Sequence, residues 1–418
     1  MILLKNGFLV DPEGKVSGIK DILISDKVIV KIENNMKVNN TITKEIDCSG
    51  LTITPGLIDV HVHLREPGFS SKETIESGTN AALKGGFTDI VVMPNTNPRI
   101  TDIETLNIAN EMIKKSAVIN VHQSAGISLN LDSKHSVDYK SLYDHGIRVF
   151  TDDGYTTMDE NIMLSALEFT EDTEALVMSH CEDHNHSLSY KAKPSPNFVE
   201  SNIVKRDIEL CKSKHMKLHL THVSTLESLK LIDEAKKNGL NVTCDVTPHH
   251  IALDNEDIDV LNPIYKVNPP IRAKEDVDYL TEGILNGLVD MIASDHAPHE
   301  MSTKCGKYEE CSFGISGIET SFFITYSKLV KEKGMKLEDF IKLYTLNPKE
   351  RFNIKSGSIR AGEIANISIF DLEYKSIIDS SEFVSLGRNT PFEGREVYGK
   401  TKHVFVNGDL IYFNENNI

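Results

Sequence analysis

The spacing of apolar residues changes twice along this chain. Over the first 50 residues, apolar and polar positions alternate in short runs, at 2–10 around Asn6-Gly7 and at 21–32, a period of two that predicts strands and turns and needs no helix. From Leu51 onward the pattern becomes a strand, a loop and a helix, repeated. Strands are predicted at 53–64, 87–93, 118–123, 147–151, 175–180, 217–222, 241–247 and 290–295, eight in all. Helical periodicity fills most of the intervals. Ser70 and Glu73 have capping-box spacing and open a predicted helix that ends at Gly85-Gly86, and another runs over 224–237 and stops at Gly239. Similar patterns cover 102–115, 159–171, 202–214, 274–288 and 319–333. After Phe352 the chain returns to strands, at 357–359, 364–372 and 402–411, the last with Asn407-Gly408 as a tight turn.

Eight alternations over roughly 250 residues or more favour a (β/α)8 TIM-type barrel over an open sheet. The expected division is a catalytic barrel over 53–354 and a small β-sandwich domain composed of 1–52 plus 355–418, one piece from each end of the chain. With 418 residues, 39% of them hydrophobic and 7% aromatic, the chain can build one large barrel and a smaller domain.

A formal charge of −17, with no run of Lys or Arg, argues against nucleic acid or an anionic membrane as partner. No stretch approaches the roughly 20 apolar residues of a membrane span, and the first residues do not read as a signal peptide, so a cytoplasmic protein is expected. Six cysteines without a C-x-x-C do not make a disulfide framework and are read as reduced thiols.

The chemistry is densest at the end of the first barrel strand, Asp59-Val60-His61-Val62-His63-Leu64-Arg65-Glu66-Pro67-Gly68. Residues i and i+2 of a strand share a face, so His61 and His63 point the same way, as two ligands of one zinc would. An H-x-H by itself also occurs in packed strands. The following turn places the Arg65 guanidinium beside the pair, which joins an anion-binding fork to a metal signal.

Active sites of barrels gather at the C-terminal ends of the strands, and those ends can be read directly. The fourth predicted strand ends in Asp152-Asp153-Gly154, the fifth in His180-Cys181-Glu182-Asp183, the sixth in His222-Val223-Ser224 and the eighth in Asp295-His296-Ala297-Pro298-His299. Four His and two carboxylates would hold two divalent ions if one carboxylate bridges them. Such a pair, about 3.5 to 4 Å apart, lowers the pKa of water and polarises a carbonyl under attack, which is hydrolase chemistry.

These motifs, together with Met93-Pro94-Asn95-Thr96 and Asn268-Pro269-Pro270-Ile271-Arg272, resemble the dihydroorotase family of the longer bacterial class (class I) in the amidohydrolase superfamily, nearly end to end. The resemblance implies the barrel with its composite β domain and reversible interconversion of N-carbamoyl-L-aspartate and (S)-dihydroorotate in pyrimidine biosynthesis. It implies two Zn2+ per subunit, with His61 and His63 on one ion, His180 and His222 on the other, Asp153 as the bridge and Asp295 as ligand and catalytic proton shuttle. Asp152 competes with Asp153 for the bridge, and His219 with His222; the family's spacing and the His-Val-Ser context favour Asp153 and His222. By the same resemblance His63, Arg65, Asn95, Asn268, His299, Phe313 and Gly314 meet the substrate, with Arg65 gripping its carboxylate. A homodimer is the expected assembly, and association with aspartate transcarbamoylase is compatible with the family. Hydantoinases and allantoinases share the architecture but use a carboxylated Lys as bridge, and no Lys lies between His145 and Asp153. A non-catalytic partner subunit of the transcarbamoylase is a second alternative, although such chains lack the metal ligands found here.

Overall fold

Strands from the two ends of the chain pair with each other. The computed structural model describes residues 1–38, 42–356 and 358–414. An 8-stranded sheet is assembled from Ile2–Asp11, Val16–Ser25, Val28–Glu33, Lys44–Asp47 and Thr52–Pro55 of the first part of the chain and Ile367–Ile377, Glu396–Val406 and Asp409–Phe413 of the last. Its seam is the antiparallel pairing of Ile367–Ile377 with Thr52–Pro55, which sets Ile369 opposite Ile53. Asn407 and Gly408 have φ of 50° and 83° and make the expected tight turn between the last two strands. Asn6-Gly7 does not turn the chain. It forms a bulge within the single strand Ile2–Asp11, where the register shifts between Leu4 and Gly7.

The strand expected at 53–64 is in fact two strands in different sheets. Thr52–Pro55 belongs to the terminal sheet and Leu57–Val62 begins a parallel set. They divide at Gly56, whose backbone lies so close to Thr88 that an added Cβ would overlap that side chain. Leu57–Val62, Phe87–Val92 and Asn120–Gln123 make a 3-stranded parallel sheet. Val149–Phe150, Leu176–Ser179, Leu218–Leu220, Val242–Val246 and Met291–Ile292 make a 5-stranded one. Single parallel bridges join the two sheets at both edges, Ala125 to Phe150 and Val62 to His296.

Except for Asn120–Gln123, each parallel strand stops short of its expected end. The residues left over the C-terminal edge include His63, Asp153, His180, His222 and Asp295. Arg65, His222 and Asp295 turn out of the ladder with φ of 64°, 39° and 46°, a left-handed backbone that non-glycine residues hold only where surrounding contacts impose it.

Helices Ile75–Gly85, Ile103–Ser116, Glu160–Phe169, Phe198–Leu210, Leu226–Lys237 and Lys274–Leu285 pack outside the strands. Several begin elsewhere than the periodicity suggested. Thr74, not Ser70, caps the first helix by a reciprocal box with Ser77, because Glu73 is drawn inward to accept a hydrogen bond from Leu386 N (3.1 Å). The helix expected over 202–214 starts at Phe198, and that over 319–333 is an α-helical turn, Ser321–Thr325, followed by a π-helical stretch, Tyr326–Glu332. Gly357, the first residue of the strand expected at 357–359, lies outside the described residues, and Ser358 and Ile359 are not in a strand.

Apolar side chains between the parallel strands and the helices form one large core, Ile58, Val60, Val91, Met178 and Met291 belong to a smaller one among the strands, and Leu9, Ile22, Ile53, Ile369 and Phe405 centre another inside the terminal sheet. No helix among the described residues is long and apolar enough to cross a membrane. Because the chain passes between the terminal sheet and the parallel strands at Gly56, Gly56→Ala should cost about 1 to 3 kcal/mol by overpacking against Thr88. Urea denaturation measures this, and an unchanged midpoint would show that the junction has slack.

Candidate metal centre and active site

His61 and His63 leave the strand Leu57–Val62 on one face, with ring centroids 5.2 Å apart. The partner of the remote nitrogen decides which ring nitrogen each presents. Asn95 Oδ1 lies 3.1 Å from His63 Nδ1, so that nitrogen carries the proton and Nε2 offers its lone pair. Thr221 donates its hydroxyl proton to Asp245 Oδ2 (2.8 Å), so Thr221 Oγ1 accepts from His61 Nδ1 (2.8 Å), and His61 Nε2 is again the free lone pair.

Both nitrogens converge on two carboxylates. His61 Nε2 lies 3.3 Å from Asp153 Oδ1 and 3.5 Å from Asp295 Oδ1; His63 Nε2 lies 3.4 Å from Asp153 Oδ2 and 3.2 Å from Asp295 Oδ1. The same Asp153 Oδ1 lies 3.5 Å from His180 Nδ1 and 3.6 Å from His222 Nε2. One buried carboxylate is thus within 4 Å of four imidazoles.

Tetrahedral ligands at zinc distances of about 2.0 to 2.1 Å stand roughly 3.3 Å from each other, the spacing found among these donors. His61 Nε2 is buried without a hydrogen-bond partner, and two groups, His61–His63–Asp295 and His61–Asp153–His222, bring their donor atoms close enough together to share an ion. The donor set therefore fits divalent metal.

Charge leads to the same place. Burial alone would raise the Asp153 carboxyl, but the His61 charge and the neighbouring His180 and His222 hold it well below the usual carboxylate range. Asp295 is likewise held low against burial, by His61 and His63. In return, and against burial, the carboxylates push His61 up to about 9 and His180 up to about 10. Without a metal ion, protons supply the positive charge that this cluster demands.

The residues that competed for these places lie elsewhere. Asp152 accepts from the backbone N–H of Ile127 (2.8 Å) and Ser128 (2.9 Å) and from the hydroxyls of Ser128 and Thr157, shaping the loop. His219 is spent on Thr243 and Asp245. His249 and His250 occupy the short helix Pro248–Ala252, buried, with His250 donating from Nε2 to Pro269 O (3.0 Å).

Apart from His61, which lies beneath it, every expected site residue lines one cavity of about 220 Å³. Arg65 donates from Nε to Pro298 O (3.3 Å), and among the described residues no carboxylate lies within ion-pair distance of it. His299 donates from Nε2 to Phe313 O (2.7 Å), which leaves Nδ1 without a partner. Burial and the neighbouring Arg65 charge keep that ring neutral. Asn268 donates to Glu182 Oε2 (2.8 Å), and Phe313 is half exposed at the rim.

Sequence reasoning assigned no role to Asp245 or Glu182. Asp245 accepts from Thr221 Oγ1 and from His222 N (2.8 Å), so it orients ligands on two different strand ends; a lone carboxylate inside the apolar run 242–246 was its signal. Glu182 lies 3.4 Å from His180 Nε2, which turns Nδ1 toward Asp153.

The model of the Amidohydrolase family matches residues 52–411. The dihydroorotases of Bacillus cereus (strain B4264) and Bacillus anthracis (strain A0248) are each 40% identical to the chain, over 99% of it and 98% of their own length. Among solved structures, the L-hydantoinase (dihydropyrimidinase) from Arthrobacter aurescens superposes with a TM-score of 0.91 at 23% identity, covering 100% of this chain and 97% of that one. The D-hydantoinase (dihydropyrimidinase) from Thermus sp. gives 0.87 at 22%, covering 100% and 96%; at such identities the likeness is one of fold.

Two outcomes follow from the geometry. Asp245→Asn should weaken metal affinity about 10- to 100-fold in a chelator competition, and unchanged affinity would remove Asp245 from the site. Metal must displace protons from His61 and His180, so affinity should rise with pH toward about 10, with proton release detectable in weak buffer. The sign reverses for the stability of the metal-free protein: these raised values stabilise it fully below the ordinary 6.5, and the contribution is lost as pH rises through about 9 and 10.

Proposed function

The chain belongs to the amidohydrolase family, and from that premise we infer that it is a cyclic amide hydrolase of the dihydroorotase type, interconverting N-carbamoyl-L-aspartate and (S)-dihydroorotate. The observation that carries the substrate is Arg65, a guanidinium beside the metal-ligand cluster with no carboxylate among the described residues to pair with. A ring bearing a carboxylate completes it by a bidentate, charge-assisted contact; the uncharged ring of hydantoin does not. The carboxylate at the bridging position, where hydantoinases use a modified Lys, favours the same choice.

We propose two Zn2+ per subunit, held by His61, His63, His180, His222 and Asp295 with Asp153 between them, supported by the donor spacing and by the unpartnered His61 Nε2. Ions bound there would polarise the amide carbonyl and acidify the attacking water. Arg65 fixes the substrate carboxylate, with Asn95, Asn268, His299, Phe313 and Gly314 around the ring. Asp295 enters ionised, the state that a base requires. In hydrolysis it takes the proton of the water that adds to the carbonyl carbon, then delivers it to the ring nitrogen as the C–N bond breaks. Ring closure runs the same transfers backward and releases water.

The same reading covers the architecture. Closure of the eight parallel strands into a (β/α)8 barrel is supported by the bridges at both sheet edges, and a sandwich built from both ends of the chain by the separate apolar core of the terminal sheet; because Thr52–Pro55 pairs within that sheet, the boundary expected between 52 and 53 moves to Gly56. All six cysteines are free thiols, which supports a reducing, cytoplasmic setting. A homodimer and association with aspartate transcarbamoylase rest on the resemblance alone.

The test is kcat/KM for dihydroorotate beside hydantoin, dihydrouracil and allantoin, with metal analysis of the same sample. Strong preference for the carboxylated ring is expected, and metal-loaded protein inactive on both dihydroorotate and carbamoyl aspartate would overturn the assignment. Arg65→Met should cost about 2 to 5 kcal/mol of transition-state binding, roughly 30- to 5,000-fold in kcat/KM, with metal content unchanged. Asp295→Asn should remove turnover while the protein stays folded.

A further inference from the structure

The corner of the cavity formed by Arg65, His299 and Gly314 does not support itself. The loop between His299 and Gly314 leaves the parallel strands and returns to them, and both of its ends meet one side chain from the C-terminal part of the chain. That side chain is Asn389, which is fully buried. Its Oδ1 accepts from His299 N (3.1 Å) and from Ser316 Oγ (3.1 Å), and its Nδ2 donates to Gly314 O (3.0 Å). Its main-chain carbonyl also accepts from Ser316 N (2.9 Å).

The segment that carries Asn389 is held close on either side. Gly387 leaves no space for a Cβ between Ser316 and Pro298, and Ser385 and Leu386 hydrogen-bond to Glu73, which also pairs with His296. Pro298 O and Phe313 O are in turn the acceptors that fix Arg65 Nε and His299 Nε2. A displacement of Asn389 would therefore move the guanidinium and the imidazole together.

Only a primary amide does this with one short side chain, because one of its ends accepts while the other donates. A carboxylate would set an oxygen against Gly314 O, and an alanine would leave a buried N–H and a buried carbonyl unsatisfied. Asn389 is absent from the cavity lining, so it touches no substrate.

We propose that Asn389 is a positioning residue for substrate specificity: it sets the separation of His299 and Gly314, and with it the place where Arg65 receives the substrate carboxylate. This rests on the dihydroorotase reading of the same cavity. The residue lies far from the metal ligands in sequence and meets none of them, so its loss acts on substrate binding rather than on metal.

The experiment compares zinc-loaded wild type, Asn389→Ala and Asn389→Asp in steady-state hydrolysis of dihydroorotate, with zinc content measured on the same samples. Expected is a KM raised about tenfold or more in the alanine variant, with kcat within about threefold and zinc unchanged. Asn389→Asp, which keeps the size and the acceptor but loses the donor to Gly314 O, should also raise KM, and it carries the test alone if the alanine variant does not fold. A KM unchanged in the folded variants, or kcat and zinc falling together at constant KM as for general destabilisation, would overturn the assignment. Zinc-loaded wild type that does not turn over dihydroorotate would instead overturn the reading of the cavity, and the role of Asn389 with it.

Discussion

A carboxylate buried among four imidazoles is the constraint on which the rest of this molecule depends. Asp153 and Asp295 are ionised although largely buried, and anions in that situation are tolerated only when positive charge is supplied at close range. In the protein alone, protons on His61 and His180 meet that need. A divalent ion would do so with less crowding, since it would let His61, His63 and His180 keep the lone pairs that their outer hydrogen bonds direct inward. Most of the parallel strands end early, and His222 and Asp295 take left-handed backbone angles, where side chains turn over the strand ends to reach one point.

Around this centre the polar support is layered. Asp245 joins His61, through Thr221, to the backbone of His222, and Glu182 joins His180 to Asn268. Outside that layer the C-terminal segment reaches back to hold the loop that carries His299 and Gly314. The candidate metal ligands and the loop that carries His299 and Gly314 are therefore supported by different parts of the chain, and Thr52–Pro55 ties the first parallel strand to the terminal sheet that carries the C-terminal part. That separation explains how one architecture serves both neutral and anionic rings: the metal ligands belong to the strand ends, and the charge selection belongs to loops.

Much of this was legible before any coordinates. The period of two, then of 3.6, placed the strands and most helices, since burial on one face leaves a trace in every turn. The residue types at strand ends pointed to a metal site because His and Asp rarely follow apolar runs without a partner. Boundaries were less legible. The split of 53–64 into two strands depends on contact between Gly56 and Thr88, which no local pattern records. Glu73 has capping-box spacing from Ser70, yet its side chain is drawn into a buried network with His296 and Ser385 from distant parts of the chain. Local spacing also left Asp152 and Asp153 equivalent; in the structure Asp152 is taken up by Ile127, Ser128 and Thr157 while Asp153 faces the imidazoles. The contacts of Asn389 left no trace at all in the sequence, because they exist only once the chain has returned over the parallel strands.

The central claim is that one buried carboxylate is shared by two ions beside a guanidinium reserved for the substrate. The most direct measurement is anomalous scattering at the zinc edge from crystals grown with zinc and dihydroorotate. Two peaks about 3.5 to 4 Å apart flanking Asp153, with the ligand carboxylate on Arg65, are expected. A single peak away from Asp153, or a ligand carboxylate turned away from Arg65, would contradict the account.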